Sequence, residues 1–116
     1  MSIIHHIGIY YIKNKFSGQI YIGQSVDIEK RWGAHTNLLD KGTHTCYKLQ
    51  NDWTLYGGET AFEFGILREC TKEELDVLEQ SFMDKIPHIL QYNVMGKVGA
   101  VPSRIKRKWA RSKKAK

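Results

Sequence analysis

Five side chains of this sequence have the chemistry that cleavage of a phosphodiester bond requires: Tyr10, Tyr21, Arg31, His35 and Glu79. The reaction needs a nucleophilic water, neutralisation of charge on the phosphate and help for the leaving oxygen. Arginine binds two phosphate oxygens at once and keeps its proton. A single carboxylate can hold Mg²⁺ while water and phosphate fill the other ligand positions. A tyrosine, with a usual pKa near ~10, can act as a base if cations lower that pKa, or otherwise relay a proton or position the water.

Both tyrosines fall in a predicted β-hairpin over residues 7–24. Two runs of alternating apolar and aromatic residues flank a glycine-containing turn, which is the hairpin pattern. Because side chains alternate along a strand, Tyr10 shares a face with Gly8, and Tyr21 shares a face with Gly23. Glycine inside a strand often marks close approach by a ligand or another backbone. The alternative is an ordinary hairpin with half-buried tyrosines.

A helix is predicted to follow, capped by Ser25 or Asp27. At about 100° per residue, Arg31 and His35 fall within the apolar arc of this helix. The apolar members of the arc are Ile28, Trp32, Leu38 and Leu39. We therefore expect both polar side chains to point inward. The structural alternatives are a hydrogen-bonded core histidine and an arginine that reaches the rim of the core.

A second helix and a third strand are predicted in the middle of the chain. Apolar residues recur at helical spacing, at Cys46, Leu49, Trp53 and Tyr56. His44 precedes this helix and could donate to a phosphate, although an exposed histidine near the helix start is the favoured interpretation. Residues 61–67 alternate between apolar and other side chains, which predicts a strand that pairs with the hairpin.

The last predicted helix begins at a capping box formed by Thr71 and Glu74. Its apolar arc comprises Leu75, Leu78, Phe82 and Ile86, and Glu79 falls inside that arc. A carboxylate among apolar neighbours needs a partner, because an unpaired buried charge costs several kcal/mol. That partner could be Arg31, a divalent cation, or both.

Composition indicates one small domain of a globular protein. The chain has 116 residues, of which 41% are hydrophobic and 26% charged. It contains no apolar run long enough to span a membrane and no signal-peptide pattern, so we expect no membrane association. Its two cysteines match neither a zinc site nor a disulfide framework. We expect reduced thiols and an intracellular location. We expect no organic cofactor, and a monomer is favoured over an oligomer.

The net charge of +6 comes from the C-terminal end of the sequence. Residues 104–116 carry eight basic side chains and no acid, whereas residues 1–103 carry ten basic and twelve acidic ones. Such a block is typical of a solvated arm that binds nucleic acid. We therefore divide the chain into a body, residues 1–97, and a basic arm, residues 98–116, in which Arg107 and Lys108 are candidate DNA-binding residues.

The hairpin residues resemble the defining pattern of a known family. Gly8-Ile9-Tyr10 is followed, after ten residues, by Tyr21-Ile22-Gly23, the signature of the GIY-YIG endonuclease superfamily. Four further positions agree with the family, namely Arg31, His35, Glu79 and Asn93. The stretch over residues 27–67 resembles the catalytic domain of phage intron-encoded homing endonucleases. The resemblance covers roughly residues 6–96.

The resemblance implies an α+β fold, with a three-stranded antiparallel sheet flanked by three or more helices. It implies hydrolysis of DNA phosphodiester bonds with one Mg²⁺ or Mn²⁺ ion bound by Glu79. Tyr10 and Tyr21 contend for the role of general base, and Arg31 stabilises transition-state charge. The resemblance further implies that His35 contacts phosphate or shuttles a proton, Asn93 supports the site, Gly23 admits the substrate, and His44 matches a histidine of the homing type.

The sequence departs from the family in two respects. Repair nucleases of the family often carry lysine after the second motif, where this chain has Gln24. Homing relatives append a linker and a DNA-recognition domain, where this chain has only the basic arm. The sequence is therefore compatible with a stand-alone nuclease of low sequence preference or with part of a longer protein. A non-catalytic DNA-binding or regulatory module and an RNA-directed nuclease remain as alternatives.

Overall fold

The computed structural model describes residues 5–93. The elements follow the order of the sequence: β1 (Gly8–Asn14), β2 (Ile20–Ser25), α1 (Ile28–Lys41), α2 (Tyr47–Tyr56), β3 (Phe62–Glu69) and α3 (Leu75–Lys85). Short 3-10 turns span Glu59–Ala61, Lys72–Glu74 and His88–Leu90. Within the described part of the chain, no helix is long and apolar enough to cross a bilayer.

The three strands form one antiparallel sheet in the order β2-β1-β3. The predicted hairpin is confirmed, and its register places Tyr10 opposite Gly23. The third strand pairs with β1, as predicted, but it begins at Phe62 because Ala61 belongs to the preceding 3-10 turn. A register shift at Ile9 and Tyr10 interrupts the β1–β3 ladder.

Helices cover both faces of this sheet. On one face, Tyr10, Ile12 and Tyr21 pack with buried residues of α1 and α2. On the other face, Ile9 and Ile22 pack against α3 through a set of apolar side chains, including Leu75, Leu78 and Phe82. Each strand of the hairpin therefore contributes to two separate cores, because its side chains alternate between the faces.

The predicted capping residues precede both helices, although the first turn after Thr71 is a 3-10 turn and α3 itself begins at Leu75. The Asp27 side chain caps α1 by accepting a hydrogen bond from the Lys30 amide at 3.1 Å. Gly42 ends α1 with a φ of 78°, a left-handed conformation that glycine adopts without strain. Before α3, the Glu74 carboxylate accepts from the Thr71 amide at 3.0 Å and so completes the predicted capping box.

Residues 91–93 return the chain to the sheet and are fully buried. Gln91 bridges to Ile20, and the Tyr92 hydroxyl donates to Asp52 at 2.8 Å. The Asn93 side chain accepts from the Ile22 amide at 2.8 Å and donates to the Ile22 carbonyl at 2.7 Å. Asn93 therefore pairs with β2 as a neighbouring strand would, and its side chain fixes the outer edge of that strand.

The two motif glycines are required by close packing. A Cβ on Gly8 would lie 2.0 Å from the Arg68 carbonyl oxygen, where the β1 and β3 backbones approach each other. A Cβ on Gly23 would lie 2.3 Å from the Tyr10 hydroxyl oxygen. The close approach expected at Gly8 is therefore that of another backbone. Gly23 was expected to leave room for the substrate, but the space beside it is filled by the Tyr10 ring.

We predict that Gly23→Ala destabilises the protein by about 1–3 kcal/mol, since the added methyl group must displace the buried Tyr10 ring. Chemical denaturation measures this change. Gly33→Ala is the matched control, because a Cβ at this position on α1 has no neighbour within 4 Å. This control should be stabilised by up to about 1 kcal/mol through helix propensity. Equal stability of Gly23→Ala and the wild type would contradict the packing described.

Candidate active site

Tyr10 occupies the centre of the predicted site. Its side chain is 1% exposed and lies across Gly23 on the face that α1 covers. The hydroxyl oxygen lies 2.6 Å from Nε2 of His35. The Trp32 ring meets the Tyr10 ring edge-on, with the centroids 6.5 Å apart. The Tyr10 ring is therefore packed on the sheet, and its hydroxyl group points towards α1.

His35 and His44 form a buried pair behind Tyr10. Nδ1 of His35 lies 2.7 Å from Nε2 of His44, and the rings stack with a centroid distance of 4.9 Å. Nδ1 of His44 accepts a hydrogen bond from the Cys46 amide at 2.9 Å. The interpretation of His44 as an exposed residue was therefore wrong. The sequence held no signal for this burial, because it depends on how the loop between α1 and α2 folds back.

Both histidines are neutral near physiological pH. Burial lowers the pKa of His35 to about 3, and the charges of His44 and Arg31 oppose its protonation further. Burial also lowers the pKa of His44 to about 4, again with a contribution from Arg31. Both ring nitrogens of His44 are bonded within the protein, so this side chain has none left to donate to a phosphate.

The two tyrosines differ in their contact with Arg31. Burial raises the pKa of Tyr10 to about 12, although the nearby Arg31, acting on the hydroxyl as a polar partner and through its charge, favours the phenolate. Burial raises the pKa of Tyr21 as well, followed by the effect of Tyr10, while Arg31 acts on it only through its charge. The charge of Glu79 reaches both tyrosines and raises both pKa values. Arg31 and Glu79 therefore both act on the two tyrosines, and His35 joins them through its hydrogen bond to Tyr10.

Arg31 is exposed, which agrees with the alternative of an arginine at the rim of the core and not with a side chain enclosed by it. Helix α1 buries Ile28, His35 and Leu39, so Arg31 falls at the edge of the buried stripe. Helical periodicity gives the direction of a side chain but not the width of the surface that covers it. Arg31 instead lines an open cleft together with Ser25, Val26, Asp27, Lys30 and Ala34. Its position is suited to binding an anion from solvent.

Glu79 reaches the site from the opposite side of the sheet. It lies on α3 and accepts a hydrogen bond at Oε1 from Nε2 of Gln24, at 2.9 Å. The same Gln24 nitrogen donates to Asp76 at 2.7 Å. The ion pairs found within residues 5–93 do not include one between Glu79 and Arg31, so the expected structural partner is replaced by Gln24. Sequence reasoning noted Gln24 only as a missing lysine and did not predict this contact.

Three predicted site residues remain, and the structure describes only one of them, Asn93. The side-chain amide of Asn93 accepts from the Ile22 amide through its oxygen and donates to the Ile22 carbonyl through its nitrogen, so it positions the second motif strand. Arg107 and Lys108 lie outside the described residues.

A divalent cation fits the donor chemistry of the site only as a largely hydrated ion. Among residues 5–93, no group of three or more histidine, cysteine or acidic side chains could hold a metal. Mg²⁺ commonly takes one or two carboxylates and keeps water and phosphate as its other ligands. Glu79 supplies one such carboxylate, and its hydrogen bond to Gln24 uses only Oε1. A single ion held by Glu79 is therefore compatible with these residues.

Comparison with known proteins agrees with the motif and the fold. The GIY-YIG catalytic domain family matches residues 6–86. Intron-associated endonuclease 1 of Enterobacteria phage T4 is 40% identical over 73 residues, which are 63% of this chain. This chain spans only 29% of the length of that relative.

Two solved structures have the same architecture. The catalytic domain of homing endonuclease I-TevI superposes with a TM-score of 0.68 at 34% identity, covering 74% of this chain and 95% of that one. A glutamate-to-alanine mutant of the catalytic domain of intron endonuclease I-TevI gives the same TM-score and identity over 76% of this chain and 92% of its own. The expected three-stranded antiparallel sheet with flanking helices is confirmed. By its motif, its fold and its relatives, this chain belongs to the GIY-YIG family of endonuclease catalytic domains.

Proposed function

We propose that this chain hydrolyses DNA phosphodiester bonds with the help of one divalent metal ion. The observation that carries the proposal is that Arg31 and Glu79, one on each flank of the sheet, both act electrostatically on the buried tyrosines Tyr10 and Tyr21. These groups come from both faces of the sheet. A purely structural cluster would not need an exposed arginine beside a buried tyrosine and a carboxylate.

Each residue has a definite task in the proposed reaction. Arg31 binds the non-bridging phosphate oxygens from the solvent side and offsets the charge that grows on them. Glu79 holds Mg²⁺ or Mn²⁺, and the bound ion supplies further charge neutralisation and a more acidic water. Gln24 orients Glu79 through the 2.9 Å hydrogen bond. Asn93 keeps the second motif strand in register by pairing with Ile22.

Tyr10 is the better candidate to accept the proton of the attacking water. Of the two tyrosines, it alone is hydrogen-bonded to His35, and its hydroxyl is the one on which Arg31 acts as a polar partner as well as through its charge. Both contacts stabilise negative charge on its oxygen, once His35 acts as the donor. Tyr21 has its pKa raised by burial and by Tyr10. Tyr21 therefore has a packing role: its ring meets the His35 ring edge-on, with the ring centroids 5.2 Å apart.

DNA is the proposed substrate, and the place of action is inside the cell. The relatives that match are endonucleases associated with phage introns. Within residues 5–93, Cys46 and Cys70 form no disulfide, which is compatible with a reducing compartment. Residues 1–97 would form the catalytic unit, and residues 98–116 would add a basic arm that grips the phosphate backbone. We propose that the protein acts as a monomer without an organic cofactor.

We predict that Glu79→Gln and Arg31→Ala each reduce DNA cleavage by on the order of 100-fold or more. The first loses the carboxylate that holds the metal, and the second loses the cation that binds phosphate. Plasmid nicking during a Mg²⁺ titration measures both effects. Glu73→Gln is the control, since Glu73 is an exposed acid outside the site.

Two outcomes of this titration would change the proposal. Unchanged nicking by Glu79→Gln would refute a mechanism in which Glu79 holds the metal. Absence of cleavage by the wild type with either metal would favour a DNA-binding or regulatory module. A matched RNA duplex in the same assay tests the RNA-directed alternative, because the phosphate chemistry is common to both substrates.

We predict that the cleavage rate rises by about tenfold per pH unit from near-neutral to mildly alkaline pH. The reason is that Tyr10, with a pKa of about 12, gains its reactive anionic form steadily throughout that range. Histidine titration should contribute nothing there, since the pKa values of His35 and His44 lie at about 3 and about 4. Single-turnover rates as a function of pH measure the slope.

The Tyr10→Phe variant should lose the rise in rate with pH, whereas Tyr56→Phe, on the exposed end of α2, should keep it. A rate that rises only to about pH 6.5 and then levels off would instead indicate a histidine as the base.

We predict that deletion of residues 104–116 weakens DNA binding and reduces its salt dependence. Each phosphate contact contributes about 0.9 to the slope of log K against log salt. Binding titrations at several salt concentrations measure this slope. Neutral replacement of Arg107 and Lys108 should give a smaller change in the same direction. An unchanged slope after the deletion would assign DNA binding to the body of the protein.

A further inference from the structure

The pair of histidines behind Tyr10 has a defined hydrogen-bond direction. A backbone amide can only donate, so the Cys46 amide, at 2.9 Å, requires Nδ1 of His44 to be an unprotonated acceptor. A neutral His44 then carries its proton on Nε2. That nitrogen faces Nδ1 of His35 at 2.7 Å, so His44 donates and His35 accepts. The loop between α1 and α2, which carries His44 and Cys46, therefore determines which histidine donates the hydrogen bond and which accepts it.

The same direction extends to the tyrosine. With Nδ1 of His35 acting as the acceptor, the proton of a neutral His35 must lie on Nε2. Nε2 lies 2.6 Å from the Tyr10 hydroxyl, so His35 donates to the tyrosine oxygen. Charged forms do not interfere, because both histidines are neutral near physiological pH. Tyr10 cannot give its own proton to His35 in this arrangement.

We infer that His44 is a positioning residue which, anchored by the Cys46 amide, locks His35 in its Nε2-protonated form so that the Tyr10 oxygen is always a hydrogen-bond acceptor. This role differs from donation to a phosphate, for which His44 has no ring nitrogen left. It also removes His35 as the group that deprotonates Tyr10. The inference rests on the proposed function only for its catalytic consequence, because the tautomer itself follows from hydrogen bonds.

The hydrogen-bond direction has a chemical consequence for Tyr10. With one lone pair held by His35 and the positive charge of Arg31 nearby, the oxygen is prepared to carry negative charge. If His35 were protonated on Nδ1 instead, the phenol would donate to Nε2 and its proton would be retained. The anchored pair therefore favours the tyrosine as a proton acceptor, and it does so without placing a charge in the core.

The tautomer is tested by long-range ¹H–¹⁵N correlation spectra of the full chain, labelled at histidine, near neutral pH. We expect protonated Nε2 and unprotonated Nδ1 on both His35 and His44. The matched variants are His44→Gln and His44→Glu, which have nearly the same shape. The glutamine amide can still donate to His35, whereas a carboxylate only accepts and should move the His35 proton to Nδ1.

Cleavage by the two variants tests the catalytic role. We expect His44→Gln to retain most of kcat and His44→Glu to lose on the order of 10- to 100-fold, with KM little changed. Equal kcat values for the two folded variants, or a wild-type His35 protonated on Nδ1, would overturn the inference. If His44→Glu fails to fold, the wild-type spectrum still decides the tautomer. If the wild type cleaves no nucleic acid, the proposed function fails, whereas the spectra judge the tautomer separately.

Discussion

The packing of the Tyr10 ring across Gly23 is the contact on which the rest of the site depends. It requires the hairpin register that places these two residues opposite each other, and it leaves no room for a Cβ. It also directs the tyrosine hydroxyl towards α1, where His35 meets it at 2.6 Å. One cross-strand contact therefore explains why the motif needs glycine at position 23 and joins the hairpin to α1.

The sheet separates the parts of the site into two layers. Tyr10, Tyr21 and His35 belong to the layer of α1 and α2, whereas Glu79 belongs to α3. Gln24, at the end of β2, holds Glu79 and so connects the second layer to the motif strand. Asn93 fixes the same strand from its outer edge. Since β2 contacts all of these groups, its placement governs how closely the carboxylate and the tyrosines approach each other.

Local patterns in the sequence predicted the elements well, because those elements depend on local interactions. The hairpin, the third strand and the capped ends of α1 and α3 follow from alternation, glycine and capping residues. The side-chain environments were predicted less well. Arg31 is exposed although it lies in the apolar arc, and His44 is buried although it lies near a helix start. Both depend on how separate elements pack, as does the contact between Gln24 and Glu79, and no spacing in the sequence records such contacts.

The proposed mechanism requires Tyr10 and Glu79, held on opposite sides of the sheet, to act on the same phosphate. A double-mutant cycle of single-turnover DNA cleavage with Tyr10→Phe and Glu79→Gln tests it most directly. Residues that act as a unit have strongly non-additive effects. We predict that the double mutant is no more than slightly slower than the slower single mutant. Independent, multiplicative losses in the double mutant would contradict the mechanism.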